Sequence, residues 1–336
     1  MSEQMQHVVL ASTPEGVPEE RHFEVRSAPV PEPGEGEVLC VTEYLSLDPY
    51  MRGQIAGRHL SGAVKAGDTM LGETVGRVLL SNSEEFAPGD RVQGFGGWRT
   101  HWVLPADDLR KVPESFPQPS LALSALGMPG LTAWAGICRQ AKPQAGETVV
   151  IPAAVGAVGS VAAQLARTRG CRVIGIAGSE QKCRLAREVL GYDDCVNRRD
   201  DDFPERLAAA CPDGIDVYFD LVGGEMLSIA SAQLAIGARV ILCGLMADYN
   251  GPSQTPGPYP GLWIRARAIV YGLVVYDFES ERQAFLDELL PLARSGELQM
   301  REDIADGIAT APAAFCRLMR GENVGKALVR MDAAPS

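Results

Sequence analysis

The sequence predicts an α/β fold in two domains, a doubly wound parallel sheet preceded by a β-rich region, and three observations carry that prediction. Residues 1 to about 120 are rich in Pro, Gly and short alternating segments such as Glu37-Val38-Leu39-Cys40-Val41 and Val75-Gly76-Arg77-Val78-Leu79, the texture of β-structure without long helices. From about residue 145, short apolar strands alternate with helix-length amphipathic segments, as they do in βαβ units and a parallel sheet. A glycine-bearing loop, residues 153–159, lies between the first of these strands and the helix after it.

The expected strands of the sheet are Thr148–Pro152, Arg172–Ala177, Asp194–Asn197, Ile215–Asp220, 239–244 and 269–275. Six is the strand count of a Rossmann sheet. The rhythm stops near residue 300, and Ala327-Leu328-Val329-Arg330-Met331 reads as a lone strand that must pair elsewhere. We expect it to return to the first domain, so that residues 1–125 and 300–336 form one domain and 126–299 the other. The Pro/Gly-rich stretch 250–261 is expected to be a long loop, and such loops in compact domains are often functional.

Composition narrows the class of partner. With 336 residues, 46% hydrophobic and 22% charged, the chain has ordinary globular character and a length that favours two domains. A net charge of −12 repels phosphate backbones and anionic lipid, so a small molecule is expected in preference to nucleic acid or a membrane. Residues 1–12 lack the basic start and apolar run of a signal peptide, which points to the cytoplasm. The eight cysteines, at 40, 138, 171, 183, 195, 211, 243 and 316, stand singly without a Cys-x-x-Cys and read as reduced core thiols.

The loop after Val149-Val150-Ile151 carries the first chemical signal. Gly156 would let the backbone approach a pyrophosphate, and Gly159 would permit close helix–strand packing. Ala154 stands in place of the first glycine of a Gly-x-Gly-x-x-Gly pattern; Ala157 and Val158 complete the turn into a helix expected over 160–169. At the end of the second strand an NAD enzyme usually carries an acid on the adenine ribose. Here Ala177-Gly178-Ser179 leaves room for a phosphate, Lys182 follows within one turn, and the third strand ends at Asn197-Arg198-Arg199. These cations suit the 2′-phosphate of NADP(H). Alternatively they are solvated surface charges, with Glu180 the residue that would make an NAD site.

Together these residues resemble the zinc-independent leukotriene 12-hydroxydehydrogenase/prostaglandin reductase/curcumin reductase branch of the medium-chain dehydrogenase/reductase superfamily. The resemblance spans nearly the whole chain. It rests on Leu47-Asp48-Pro49-Tyr50-Met51-Arg52, Leu126-Gly127-Met128-Pro129-Gly130-Leu131-Thr132-Ala133, Gly156-Ala157-Val158-Gly159-Ser160, Asp213-Gly214-Ile215-Asp216-Val217-Tyr218-Phe219-Asp220 and Gly321-Glu322-Asn323-Val324-Gly325-Lys326. It implies a GroES-like substrate domain beside the Rossmann domain, an active site in the cleft between them, and a homodimer. It also implies that Lys182 contacts the 2′-phosphate, that Asn323 sits near the nicotinamide and that Tyr50 lines the substrate site. Arg198 stands where relatives often have a tyrosine, Leu221 replaces an asparagine, and the segment around Arg265 lacks a tyrosine that some relatives use.

No metal is expected. Catalytic zinc in this superfamily takes a Cys, a Gly-His-Glu and a third ligand, but the corresponding stretches read Leu45-Ser46-Leu47-Asp48 and Leu71-Gly72-Glu73. The cysteines of a structural zinc lobe are missing between Asp90 and Arg110, and the four histidines, at 7, 22, 59 and 101, sit at no ligand spacing from a cysteine. The reaction suited to such a site is hydride delivery from NADPH to the β-carbon of an α,β-unsaturated ketone or aldehyde. The enolate oxygen that develops needs hydrogen-bond donors, for which Tyr50 and Tyr249 are the candidates. Tyr249 equally suits plain packing, and a quinone reductase or a non-enzymatic NADPH-binding protein remains open on the same scaffold.

Overall fold

Alternation of buried and exposed side chains in the computed structural model, which describes residues 4–251 and 255–331, follows the strand periodicity of the first hundred residues. In β4 below, Val75 and Val78 are buried while Arg77 and Leu79 face outward. Contacts divide the chain into two units, one running to Leu123 and resuming at Glu302, the other spanning Ser124–Arg301.

The first unit opens with an antiparallel pair, β1 (Gln4–Leu10) and β2 (Phe23–Pro29). There follow β3 (Glu37–Ser46), the five-residue helix α1 (Met51–Ile55), β4 (Thr74–Ser81), β5 (Arg91–Gly94), β6 (His101–Pro105) and β7 (Arg110–Lys111). Val38, Cys40, Val78, Val92 and Trp102 fill the core against β3, β4 and β5.

The second unit alternates strand and helix. Its strands are β8 (Thr148–Pro152), β9 (Arg172–Ala177), β10 (Asp194–Asn197), β11 (Ile215–Asp220), β12 (Leu234–Leu242) and β13 (Ile269–Gly272). Its helices are α2 (Met128–Trp134), α3 (Ala157–Thr168), α4 (Glu180–Glu188), α5 (Phe203–Ala210), α6 (Gly224–Ser231), α7 (Pro260–Ala266) and α8 (Arg282–Ser295). The strands are all parallel, in the order β10-β9-β8-β11-β12-β13. This is the Rossmann order, in which the connections after β8 and β11 diverge and leave a crevice at the carboxyl ends of those two strands.

Four strands have the bounds read from the sequence; two do not. Strand β12 begins at Leu234 instead of 239, because the chain continues through Gly237 with φ at +81°, where a glycine in the sequence reads as a break. Strand β13 ends at Gly272, since the apolar run Leu273-Val274-Val275 leaves the sheet and turns into a 3-10 segment. Helix α3 begins at Ala157, three residues before the expected start, because Gly156 is its extended N-cap. The loop expected over 250–261 yields to helix at Pro260, a residue whose fixed φ suits the first turn; positions 252–254 lie outside the described residues.

The tail supplies β14 (Glu302–Asp306), α9 (Ala311–Met319) and β15 (Lys326–Arg330). Strand β15 lies antiparallel to β3 and parallel to β14, which places it inside the sheet of the first unit.

Candidate active site

The turn between β8 and α3 is shaped by close approach. A Cβ built on Gly159 would stand 2.7 Å from the Ala153 carbonyl oxygen and 3.2 Å from that of Ala154. Ala153 itself adopts φ +50°, unusual for a residue with a side chain, and Ala154 is buried with its N–H bonded to the Ile176 carbonyl at 3.1 Å. Helix α3 has no side-chain cap at its N-terminus. Its first-turn amides therefore point out of the helix as free donors, and Gly156, Ala157 and Val158 are partly exposed there.

At the end of β9 the structure gathers the cations. A Cβ built on Gly178 would lie 3.6 Å from Arg198 Nε, 3.8 Å from Arg198 Nη2 and 3.9 Å from Arg199 Nε. Both guanidinium groups thus face the backbone where an acidic side chain would have to project. Partial burial first, and then the neighbouring Arg199, lower the pKa of Arg198. Ser179 caps α4, its hydroxyl accepting the Lys182 N–H at 3.3 Å, which puts Lys182 in the first turn of the same helix. Glu180, the residue that would have favoured NAD, is turned to Arg187 at 2.7 Å, and Asp200 is occupied by Asn197 and Arg206. The end of the third strand offers both Arg198 and Arg199 as cations without saying which would reach the phosphate; the β9–β10 pairing, which no local pattern announces, brings both beside Gly178.

Across the crevice, at the ends of β11 and β12, Asp220 is fully buried. One carboxylate oxygen accepts the amides of Val222 at 3.0 Å and Gly223 at 2.9 Å, so the acid itself forms the turn. Leu221, at the position of the relatives' asparagine, is buried as an apolar side chain. Burial raises the pKa of Asp220 and, together with that carboxyl, pushes the Cys243 thiol up to about 12. Tyr249 stands beside Cys243. Burial first, then Cys243, raise its phenol pKa against the opposing pull of the Leu245 amide, so the hydroxyl keeps its proton and can donate.

In the first unit the Leu47–Arg52 motif divides into anchors and one presented ring. Lys326 Nζ donates to Asp48 Oδ1 at 2.6 Å and to the Leu47 carbonyl at 2.8 Å, and Ser46 binds the other oxygen of the same buried carboxylate. Arg52 donates to the carbonyls of Pro14 and Gly16. Tyr50 is left partly exposed and stacks on His59, with ring centroids 4.8 Å apart. Asn323 donates its amide to the Gly325 carbonyl at 2.8 Å. Tyr50 and Asn323 therefore belong to one unit, and Tyr249, the 154–159 loop and the Gly178 cations to the other.

The positions that would hold catalytic zinc are packed with hydrocarbon. A Cβ at Gly72 would meet Leu45 Cδ1 and Met51 Cε at 3.1 Å and Trp98 Cδ1 at 3.2 Å, and these three side chains have no solvent exposure. Glu73 is buried and receives the Gln93 amide at 2.6 Å. No imidazole fits at residue 72, and no soft ligand stands at 45, so these residues do not fit a zinc ion.

Two family models match the chain, one described as the N-terminal domain of oxidoreductases over residues 6–112 and one as a zinc-binding dehydrogenase over residues 157–290. The chain is 41% identical to the NADPH-dependent curcumin reductase of Escherichia coli, covering 96% of both. It is 39% identical to prostaglandin reductase 1 of Bos taurus, covering 94% of this chain and 95% of that one. The structure of CurA in complex with NADPH from Vibrio vulnificus superposes with a TM-score of 0.93 at 36% identity, covering 98% of this chain and 100% of the other.

Proposed function

The chain belongs to the medium-chain dehydrogenase/reductase superfamily, in the branch of the curcumin and prostaglandin reductases, and from that premise we propose that it uses NADPH to reduce the carbon–carbon double bond of α,β-unsaturated ketones or aldehydes. The observation that carries this reading is the pair of guanidinium groups at Gly178, with Glu180 turned away, which suits the 2′-phosphate that distinguishes NADPH from NADH.

Bound NADPH supplies the hydride. The chain's part is to bind, orient and donate. The amides opening α3 hold the pyrophosphate, with Ala154, Gly156 and Gly159 setting the turn and Ala157 and Val158 its surface. Gly178, Ser179, Lys182 and Arg198 form the phosphate pocket, and Asn323 is a nicotinamide contact. Tyr50 and Tyr249 are the hydroxyl donors to an enolate oxygen; a protonated Tyr249 and a Tyr50 braced on His59 support these roles. Identification of the product formed from NADPH and an enone or 2-alkenal tests the reading. The hydrocarbon around Gly72 supports a reaction without metal.

We also propose a homodimer joined through β13. This strand ends the parallel sheet, pairs on its other side with no strand among the described residues, and carries exposed apolar side chains at Ile269 and at the neighbouring Ile264 and Val274. Antiparallel pairing of two copies would satisfy that edge and bury those side chains. Native mass spectrometry is expected to give twice the 35.9 kDa chain mass without zinc, and activity is expected to survive chelator. A monomer, or stoichiometric zinc whose removal stops turnover, would contradict these assignments.

A further inference from the structure

Tyr192, between α4 and β10, is 3% exposed and has no place in the proposed reaction. Its hydroxyl lies 2.9 Å from the Ala154 carbonyl and 2.9 Å from the Gly159 carbonyl. One proton thus serves two acceptors at opposite ends of the turn that opens α3. The ring reaches this point because residue 175, on the intervening β9, has no side chain. A Cβ there would stand 3.0 Å from Tyr192 Cδ1 and 2.9 Å from the Ala154 Cβ. Burial raises the phenol's pKa, so the hydroxyl remains a donor throughout the working range of pH. Without it, this link between the Ala154 carbonyl and the Gly159 carbonyl would be lost inside the core.

We propose that Tyr192 is a positioning residue for the dinucleotide loop, its hydroxyl tying the Ala154 and Gly159 carbonyls together and thereby fixing the amides presented to the cofactor's pyrophosphate. The role rests on the NADPH reading of the loop. It differs from that of Lys182 and Arg198 in a measurable way. The pyrophosphate is common to NADPH and NADH, so loss of the brace weakens both cofactors equally, whereas loss of a phosphate cation weakens NADPH alone.

The test is Tyr192→Phe, which removes the hydroxyl and keeps the ring. A net hydrogen bond corresponds to roughly a fivefold to tenfold change in a binding constant. The dissociation constants for NADPH and NADH are expected to rise by that factor together, with kcat at saturating NADPH retained and amide hydrogen exchange over 154–160 faster in the cofactor-free protein. Unchanged constants with only a lower melting temperature would reduce Tyr192 to a structural residue and overturn the proposal, as would a loss confined to NADPH. Failure of the unmodified protein to bind NADPH would instead reject the cofactor reading, so the two failures are distinguishable.

Discussion

Lys182→Ala and Arg198→Ala are each expected to weaken NADPH binding by roughly ten- to a hundredfold and to leave NADH nearly unchanged. A hydrogen bond to a charged group contributes about 1.5 to 3 kcal/mol, and each 1.4 kcal/mol is about tenfold in affinity. The structure adds a reason for Arg198 to matter as much as Lys182. Its guanidinium faces Gly178 beside that of Arg199, with no ion pair to either arginine among the described residues, so a bound phosphate would relieve a repulsion as well as form a bond. Arg199→Ala should follow the same pattern at the lower end of the range, because its group is the more distant of the two. Fluorescence titration with both cofactors reads the result. Equal losses for NADPH and NADH would remove these side chains from the 2′-phosphate.

Gly159→Val is expected to remove measurable binding of both cofactors. Any Cβ at this position comes to 2.7 Å from the Ala153 carbonyl, and the obstacle is backbone on both sides, which cannot rotate away as a side chain would. Forcing extra carbon into such a contact costs about 1 to 3 kcal/mol or more, and here the cost falls on the turn whose amides bind the pyrophosphate. The Ala153 backbone, already at φ +50°, has little room to absorb the shift. A fall in melting temperature of a few degrees should accompany the loss. A variant that folds and binds either cofactor as the parent does would show that this close approach is not needed.

The βαβ architecture was legible in the sequence because its signals are local. A run such as Val149-Val150-Ile151 followed by a glycine turn and an amphipathic helix declares itself within twenty residues, and β8 to β11 have the expected bounds. Strand β12 was shortened in the reading because Gly237 looks like punctuation, whereas the parallel register to β11, with a shift between Ile215 and Val217, draws the chain into the sheet on both sides of it. The candidate site divides along the same line. The 154–159 turn and the Gly178-Ser179-Lys182 segment are contiguous and could be named from sequence. Arg198 and Arg199 could be named as cations at the end of the third strand, but their nearness to Gly178 depends on strand pairing; Tyr192 reaches the 154–159 turn across β9, and the apolar plug of Leu45, Met51 and Trp98 around Gly72 is assembled from separate segments. Tyr192 in particular carries no motif; before the fold is known, a tyrosine between a helix and a strand is only a core aromatic.

The proposed double-bond reduction is supported by the chemistry that these residues could offer a developing charge. An alkoxide formed at a carbonyl carbon needs strong local stabilisation, which a zinc ion would supply and the hydrocarbon at Leu45, Met51 and Gly72 does not. An enolate spreads its charge and can be served by hydroxyl donors such as Tyr50 and Tyr249. The most direct test is to incubate the protein with NADPH deuterated at the transferable position and a medium-chain enone or 2-alkenal, then to identify the product by mass and NMR. The expected product is the saturated ketone or aldehyde with deuterium at the β-carbon and the carbonyl intact; an allylic alcohol carrying deuterium at the former carbonyl carbon would contradict the assignment.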